Sequence, residues 1–452
     1  MSYFPSRMLA VAATITVVLC GTLLPASAEM SAKCRPPINE RMIAGCTEII
    51  DDAATAPAER AEAMSYRGAA QMSRGNLERA LADFSAFIAM SPDSAHGYYL
   101  RATAHEKQDN HELALADYDK SIALNPNYPF AYAARGAIYA AKGDFDRALK
   151  NHDEAIRLKP ELAALYNNRG LVRRNSGDMK GAIADFSTAI RLDPKNTLAL
   201  GFRGNAYLSR NDSGHALADF EAALRLSTTN QDMAYYGRAE IKLERGDNDG
   251  AIADYSKALE FAPDMVDAYI NRGVAFVRKG DYAASIPNYD AALKLTPNDP
   301  AIRNRRSHAY FITGHFAEAA EDFGDVVEKS PEYGLAKLLR YIARARSGDY
   351  DLGELKRNTE TLDRTGWPWP MVAVYLGQMT RDEMLAKMKN MRLEDDFGPC
   401  GVSFYLGQYL MVKRKPQEAL PYLKQAAEVC RGDGEFERDA ARNELKRQQA
   451  SN

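Results

Sequence analysis

The chain has 452 residues, 46% hydrophobic and 26% charged, a length that ordinary globular chains divide between two domains. Its formal charge is −3, from 58 basic and 61 acidic residues spread along the sequence rather than bunched. That balance lacks both a nucleic-acid footprint and a strongly acidic tail, so no nucleic acid is expected as a partner.

The N-terminus reads MSYFPSRMLAVAATITVVLCGTLLPASAEM: Arg7, an apolar run from Met8 to Leu24, then Ala26-Ser27-Ala28. This layout predicts a signal peptide over residues 1–28, cleaved after Ala28, and hence a soluble periplasmic chain with no stable membrane insertion after cleavage. An uncleaved anchor is the rival reading, because the run falls only slightly short of spanning length. Leu19 stands before Cys20 where lipoprotein processing wants a small residue, so no lipid is expected.

Four cysteines follow in two sequence-local pairs, Cys34 with Cys46 and Cys400 with Cys430, as expected of an exported chain. In residues 29–60, a lone helix from Glu40 to Asp51 carries Cys46, and Cys34 can fold back onto it across Pro36-Pro37. Free buried thiols or a metal pair are the alternatives, and the want of histidine partners argues against metal. A spacer, Asp52 to Ala58, leads to residues 61–333, which repeat one pattern eight times at a period of 34 with a single step of 35.

Each recurring residue has a physical reason. The eighth place is small (Gly68, Ala102, Gly136, Gly170, Gly204, Ala239, Gly273, Ser307) and the twentieth is mostly Ala, so that two antiparallel helices can approach. The twenty-fourth place is aromatic except at His152, filling the wedge to the next pair. Gly, Asn or Asp at the fifteenth place closes the first helix, Asn or Asp at the sixteenth caps the second, and Pro at the thirty-second stops it. The seventh place is Arg in all eight repeats: Arg67, Arg101, Arg135, Arg169, Arg203, Arg238, Arg272 and Arg306. The twenty-third is Asp in six, Asp83, Asp117, Asp185, Asp219, Asp254 and Asp322, and Asn at Asn151 and Asn288. This matching predicts a structural ladder of guanidinium to carboxylate hydrogen bonds, the alternative being a basic track for an anionic polymer.

Residues 334–366 form a degenerate repeat, with a first helix from Gly334 to Ser347 and a second, Leu352 to Leu362, that has lost the Ala and aromatic pattern. Trp367-Pro368-Trp369-Pro370 breaks the chain, and residues 367–397 continue as a short helical pair turning near Met379-Thr380. A loop is expected from Glu394 to Pro399. Residues 398–452 hold a hairpin, Gly401 to Val412 and Pro416 to Cys430, whose antiparallel geometry sets Cys400 beside Cys430. A charged last helix, Glu435 to Gln449, suits a polar cap.

The inner face is expected to carry the second, fifth, ninth, twelfth and thirteenth places of the first helices. Candidates for a peptide groove there are Tyr99, Asn167, Leu171, Asn205, Leu208, Tyr236, Ile270, Val274, Asn304, His308 and Phe311. Amides would bond an extended backbone and aliphatic residues would hold side chains, the bland reading being that these places only pack repeat on repeat. No nucleophile elbow, zinc helix, phosphate loop or dinucleotide fingerprint occurs, so no enzyme activity, cofactor or metal is expected.

Residues 61–333 resemble tetratricopeptide repeat proteins, which implies an all-α, right-handed α-solenoid of antiparallel helix pairs that binds proteins or peptides. The basic clamp that some of those proteins use for a C-terminal carboxylate is not reproduced. The segment Trp367 to Cys430, with Val374-Tyr375-Leu376-Gly377-Gln378 and Phe404-Tyr405-Leu406-Gly407-Gln408-Tyr409, is similar to the end of NlpI-type bacterial envelope adaptors. That resemblance implies an envelope protease or a peptidoglycan hydrolase as partner. The Ala44-Gly45-Cys46-Thr47 opening is similar to secreted repeat proteins of alphaproteobacteria. The expectation is a periplasmic scaffold in envelope assembly or proteolysis, with an oligomerising part of a secretion or surface-polysaccharide apparatus as the alternative.

Overall fold

The computed structural model describes residue 34 and residues 40–229, 231–390, 397–430 and 435–450, so the expected signal segment lies outside the described residues. The described residues are helical throughout, without strands, and divide into two compact units, one ending at residue 228 and the other beginning at 229.

The first unit opens with helix Glu40–Asp51, tied to Cys34 by the Cys34–Cys46 disulfide. Five helix pairs follow, beginning with Pro57–Ser73 and Leu77–Met90 and ending with Thr197–Leu208 and Ser213–Leu226. From the second repeat on, first helices begin at the first place and second helices at the seventeenth. The helix expected after Ala58 begins two residues inside the spacer, because Pro57 needs no backbone donor at a helix N-terminus.

The punctuation works as its chemistry dictates. Gly143 and Gly177 sit at φ +77° and +92°, and Asp109 and Asn211 take the same left-handed region at 58° and 57°. At the sixteenth place Asp144 and Asp178 accept from the backbone N–H of Arg147 and Gly181 at 3.0 and 2.8 Å. Asn76 and Asn110 make no such bond, since their amide nitrogens instead donate to Gln71 and Gln108. Glycine at the eighth place leaves room for the ring opposite in three of the repeats with Phe at the twenty-fourth place. A Cβ on Gly68, Gly170 or Gly204 would come within 2.6 Å of Phe84, Phe186 or Phe220. Each of those rings is fully buried, a burial worth about 2–3 kcal/mol.

The second unit holds the three remaining pairs, Asp232–Glu244 with Asn248–Phe261, Val266–Arg278 with Tyr282–Leu295, and Pro300–Thr313 with Phe316–Lys329. Helix Gly334–Ser347 follows, and its partner is only Leu352–Asn358: Leu355 alone is buried in it, too little contact to sustain a longer helix to Leu362. Helices Trp369–Tyr375 and Arg381–Asn390 come next, then the hairpin Phe397–Val412 and Pro416–Val429, closed by the Cys400–Cys430 disulfide. Residues 397–399 are helical rather than part of the expected loop, Pro399 falling where the first turn lacks partners anyway. The last helix is Glu435–Ala450. Among the described residues no helix is long and apolar enough to cross a membrane.

Candidate functional site

Seven of the repeated arginines are held from two sides. Within a repeat, Arg169 donates through Nε and Nη2 to Asp185 at 2.9 and 2.6 Å, and Arg203 to Asp219 at 2.8 and 2.7 Å. The same fork joins Arg67 to Asp83, Arg101 to Asp117, Arg238 to Asp254 and Arg306 to Asp322. Asn151 and Asn288 accept one bond each, from Arg135 and Arg272. The guanidinium then reaches back with Nη1 to the twenty-fifth place of the preceding repeat. The partners are Asp119, Asp153 and Asp290 at 2.6, 2.7 and 2.6 Å, and Ser187 and Ser256 at 3.0 and 2.9 Å. For Arg67 the acceptor is Thr47 on the opening helix, at 3.1 Å.

One side chain therefore fixes both the angle inside a pair and the seat of that pair on its neighbour. Hydrogen bonding to Asp185 and Asp153 raises the Arg169 guanidinium above its usual range. A tyrosine at the fourth place lies by each of five guanidinia, Tyr98, Tyr132, Tyr166, Tyr235 and Tyr269, at 5.5–5.7 Å. Neither the fourth-place tyrosines nor the twenty-fifth-place acceptors were singled out from sequence, although both recur in the same 34-residue frame.

In the first unit, the inner candidates divide by burial. Tyr99 is 5% exposed and lies 5.2 and 5.9 Å from the Tyr128 and Tyr118 rings, so it is core rather than groove. Asn167, Leu171 and Asn205 are also buried, while Leu208 is half-buried. The Oδ1 atoms of Asn167 and of its neighbour Asn168 are buried and accept no hydrogen bond among the described residues. Burial lowers the pKa of Arg174 on the next turn and raises that of Glu106, which accepts from Tyr118 Oη at 2.8 Å.

In the second unit, Tyr236, Ile270 and Val274 are half-buried. Beside them Glu240 Oε1 accepts from Asn271 Nδ2 at 2.7 Å and Tyr255 Oη at 3.1 Å, while burial raises its pKa.

The structure corrects the expectation for repeat eight. Phe311 is fully buried among Phe316, Phe404 and Phe436, and His308 stacks on Phe436 at 4.3 Å. Asn304 is half-buried on the same helix. The last helix packs on this face. Glu444, with no exposed surface, bonds Arg346 at 3.0 Å and Arg447 at 2.6 Å, and Arg447 donates to the Ile312 carbonyl at 2.7 Å. The few apolar residues of this charged helix, Phe436, Ala440, Ala441 and Leu445, were too weak a signal to place it there.

Burial pushes His96, His152 and His308 down to about 4, the range of neutral packed rings. Among the described residues no group of three or more His, Cys, Asp or Glu could hold a metal ion. What this architecture offers chemically is hydrogen-bond acceptors and half-buried aliphatic surface on the first-helix faces.

Four family models, each described as a tetratricopeptide repeat, match the chain. The matched residues are 95–128, 117–150, 135–203, 203–266, 236–300 and 270–334. They run unbroken from residue 95 to residue 334, more than half of the 452. Similar solved structures include a tetratricopeptide repeat protein from Parabacteroides merdae, 19% identical with TM-score 0.41, covering 49% of this chain and 86% of that one. PilF from Pseudomonas aeruginosa is 18% identical with TM-score 0.42, covering 46% and 94%. YrrB, described as having an unusual peptide-binding site, is 24% identical with TM-score 0.34, covering 41% and 95%.

Proposed function

Because the chain belongs to the tetratricopeptide repeat proteins, we propose that it is a non-catalytic periplasmic scaffold that binds extended protein segments on the first-helix faces of its repeats. The observation that carries this reading is where hydrogen-bonding capacity is left over. The arginine ladder is supplied with acceptors, whereas buried amide oxygens at Asn167 and Asn168 receive no donor from the described residues. A backbone N–H of an incoming segment would satisfy them on a modest opening of the face, with Leu208 giving apolar contact and Asn205 a second amide. The two disulfides support an oxidising compartment, as does the apolar leader. Partners in envelope assembly or proteolysis, an envelope protease or a peptidoglycan hydrolase among them, fit that location.

The test is a pull-down from envelope extract with residues 29–452, comparing the native sequence with Asn168→Ala and Leu208→Ala. The reading predicts a defined partner, identified by mass spectrometry, whose recovery falls about tenfold with either variant while melting is unchanged. Equal recovery with both variants contradicts it, and recovery of subunits of a secretion or polysaccharide apparatus turns the assignment to the structural alternative.

A further inference from the structure

Repeat nine breaks the ladder in a way that leaves a site. Its seventh place is Arg340, in line with the eight arginines before it. The twenty-third place is Lys356 where an Asp or Asn should accept, and the preceding twenty-fifth place is Gly324 where a Ser or Asp should. The fourth place, tyrosine in five repeats, is Lys337. Both usual acceptors are therefore missing and a second cation has been added.

The truncated helix Leu352–Asn358 opens this region into a cavity of about 650 Å³, within the size of ordinary ligand pockets. Its wall carries the cations Lys337 and Arg340 with Gly324, Asn358 and Thr361, and also the carboxylates of Glu321, Asp325, Glu328 and Glu354. Arg340 Nη2 reaches Glu354 Oε1 at 2.8 Å, and Glu354 also pairs with Arg344, so one carboxylate serves two guanidinia. Arg340 Nε is buried and has no acceptor among the described residues. Its Nη1 faces Gly324, where even a methyl group would come within 2.8 Å. Lys337 is 3% exposed, and among the described residues its ammonium has only the Thr361 hydroxyl at 3.5 Å, with no carboxylate in ion-pair range. Of the acids nearby, Asp325 is taken by Arg303 at 2.6 Å, and Glu321 and Glu328 are exposed.

We infer that this cavity is a binding site for a carboxylate-bearing ligand, held between Lys337 and Arg340 in the role that the twenty-third and twenty-fifth places fill in the other repeats. The preference for carboxylate follows from the molecule's own rungs, where the same guanidinium is met by a planar two-oxygen acceptor. Burial lowers the pKa of both cations, while carboxylate hydrogen bonds raise that of Arg169 and Arg306. For Lys337 the direction is that of a buried charge without an ion pair, and for Arg340 that of a buried charge sharing its one carboxylate with Arg344. The site is separate from the inner face and does not depend on it.

The experiment is isothermal titration of residues 29–452 with three probes: the tripeptide Ala-Ala-Ala, its C-terminal amide, and succinate. A saturable heat with the free acid and binding at least about tenfold weaker with the amide support the site and point to a peptide terminus. Saturation by succinate alone supports it and points to a small acid. In either case Lys337→Met, a near-isosteric change at a buried place, reduces affinity about tenfold without shifting the melting temperature. No heat from any probe at about 10 mM, equal binding of acid and amide, or unchanged affinity in K337M overturns the inference.

Discussion

Removing one rung measures what the ladder is worth. Asp185 is 3% exposed and accepts from Arg169 twice, at 2.9 and 2.6 Å, while Arg173 Nη1 stands 2.9 Å from its Oδ2. Asp185→Ala strips a carboxylate from two guanidinia, and breaking a buried pair costs about 3–5 kcal/mol. Two features reduce that figure here. Arg169 keeps Asp153 at 2.7 Å, and its side chain is 17% exposed, so water screens part of the loss. The expected cost is about 2–3 kcal/mol, or roughly 5–10 °C of melting temperature for a unit of this size. Asp185→Asn copies the natural rungs at Asn151 and Asn288, which make one bond to arginine instead of two, and should cost about 1 kcal/mol. Asp153→Ala, at a carboxylate 57% exposed, should cost under about 1 kcal/mol. Thermal melts followed by circular dichroism, with urea titrations on the same proteins, order the variants. If D185A melts within about 1 °C of the native chain, the arginines are not what seats repeat on repeat.

The remaining expectations concern packing, protons and the staple. A methyl group on Gly170 would fall 2.6 Å from Phe186, so Gly170→Ala should cost about 2 kcal/mol and be partly rescued by Phe186→Leu, read as a coupling energy in urea. His152, 1% exposed, has its pKa lowered from 6.5 to about 4 by burial, so the stability it permits is present above pH 6.5 and lost as pH falls towards 4. His152→Phe, the ring type of its equivalents, should therefore gain about 2 kcal/mol over the native chain at pH 5 and much less at pH 8. Glu437 runs the opposite way. Burial raises it to about 7, its contribution is present below the ordinary carboxylate range and lost as pH rises through 7, and Glu437→Gln should stabilise the second unit at pH 8. Replacing Cys400 and Cys430 by Ser opens a link 30 residues apart in sequence and should cost about 3–4 kcal/mol, visible as a lower melting temperature matched by reduction of the native chain.

The repeat was legible because each of its residues answers a local demand. A left-handed turn at Gly143, a cap at Asp144 and a close approach at Gly136 can be inferred without knowing what lies across the interface. The pairing of Arg169 with Asp185 was also legible, since two chemically complementary residues recur at a constant spacing of 16. What escaped were relations between repeats and beyond them. Asp153 and Ser187 look like ordinary polar residues on a second helix until the neighbouring arginine is seen to reach back 16 residues to them. The burial of His308 and Phe311 depended on where a distant charged helix would lie, and only Phe436, Leu445 and two alanines of that helix carried that information. The opening beside Lys337 arose from a helix ending at Asn358, four residues sooner than its composition suggested.

The central claim is that the ladder holds the helices together and leaves the first-helix face free for partners. Photocrosslinking in intact cells tests it most directly, with a photoreactive residue placed in turn at Arg174, at Leu208 and, as a second-helix control, at Lys180. The account predicts adducts to a common partner from positions 174 and 208 and none from 180. Adducts of equal yield at all three positions, or at 180 alone, would contradict it.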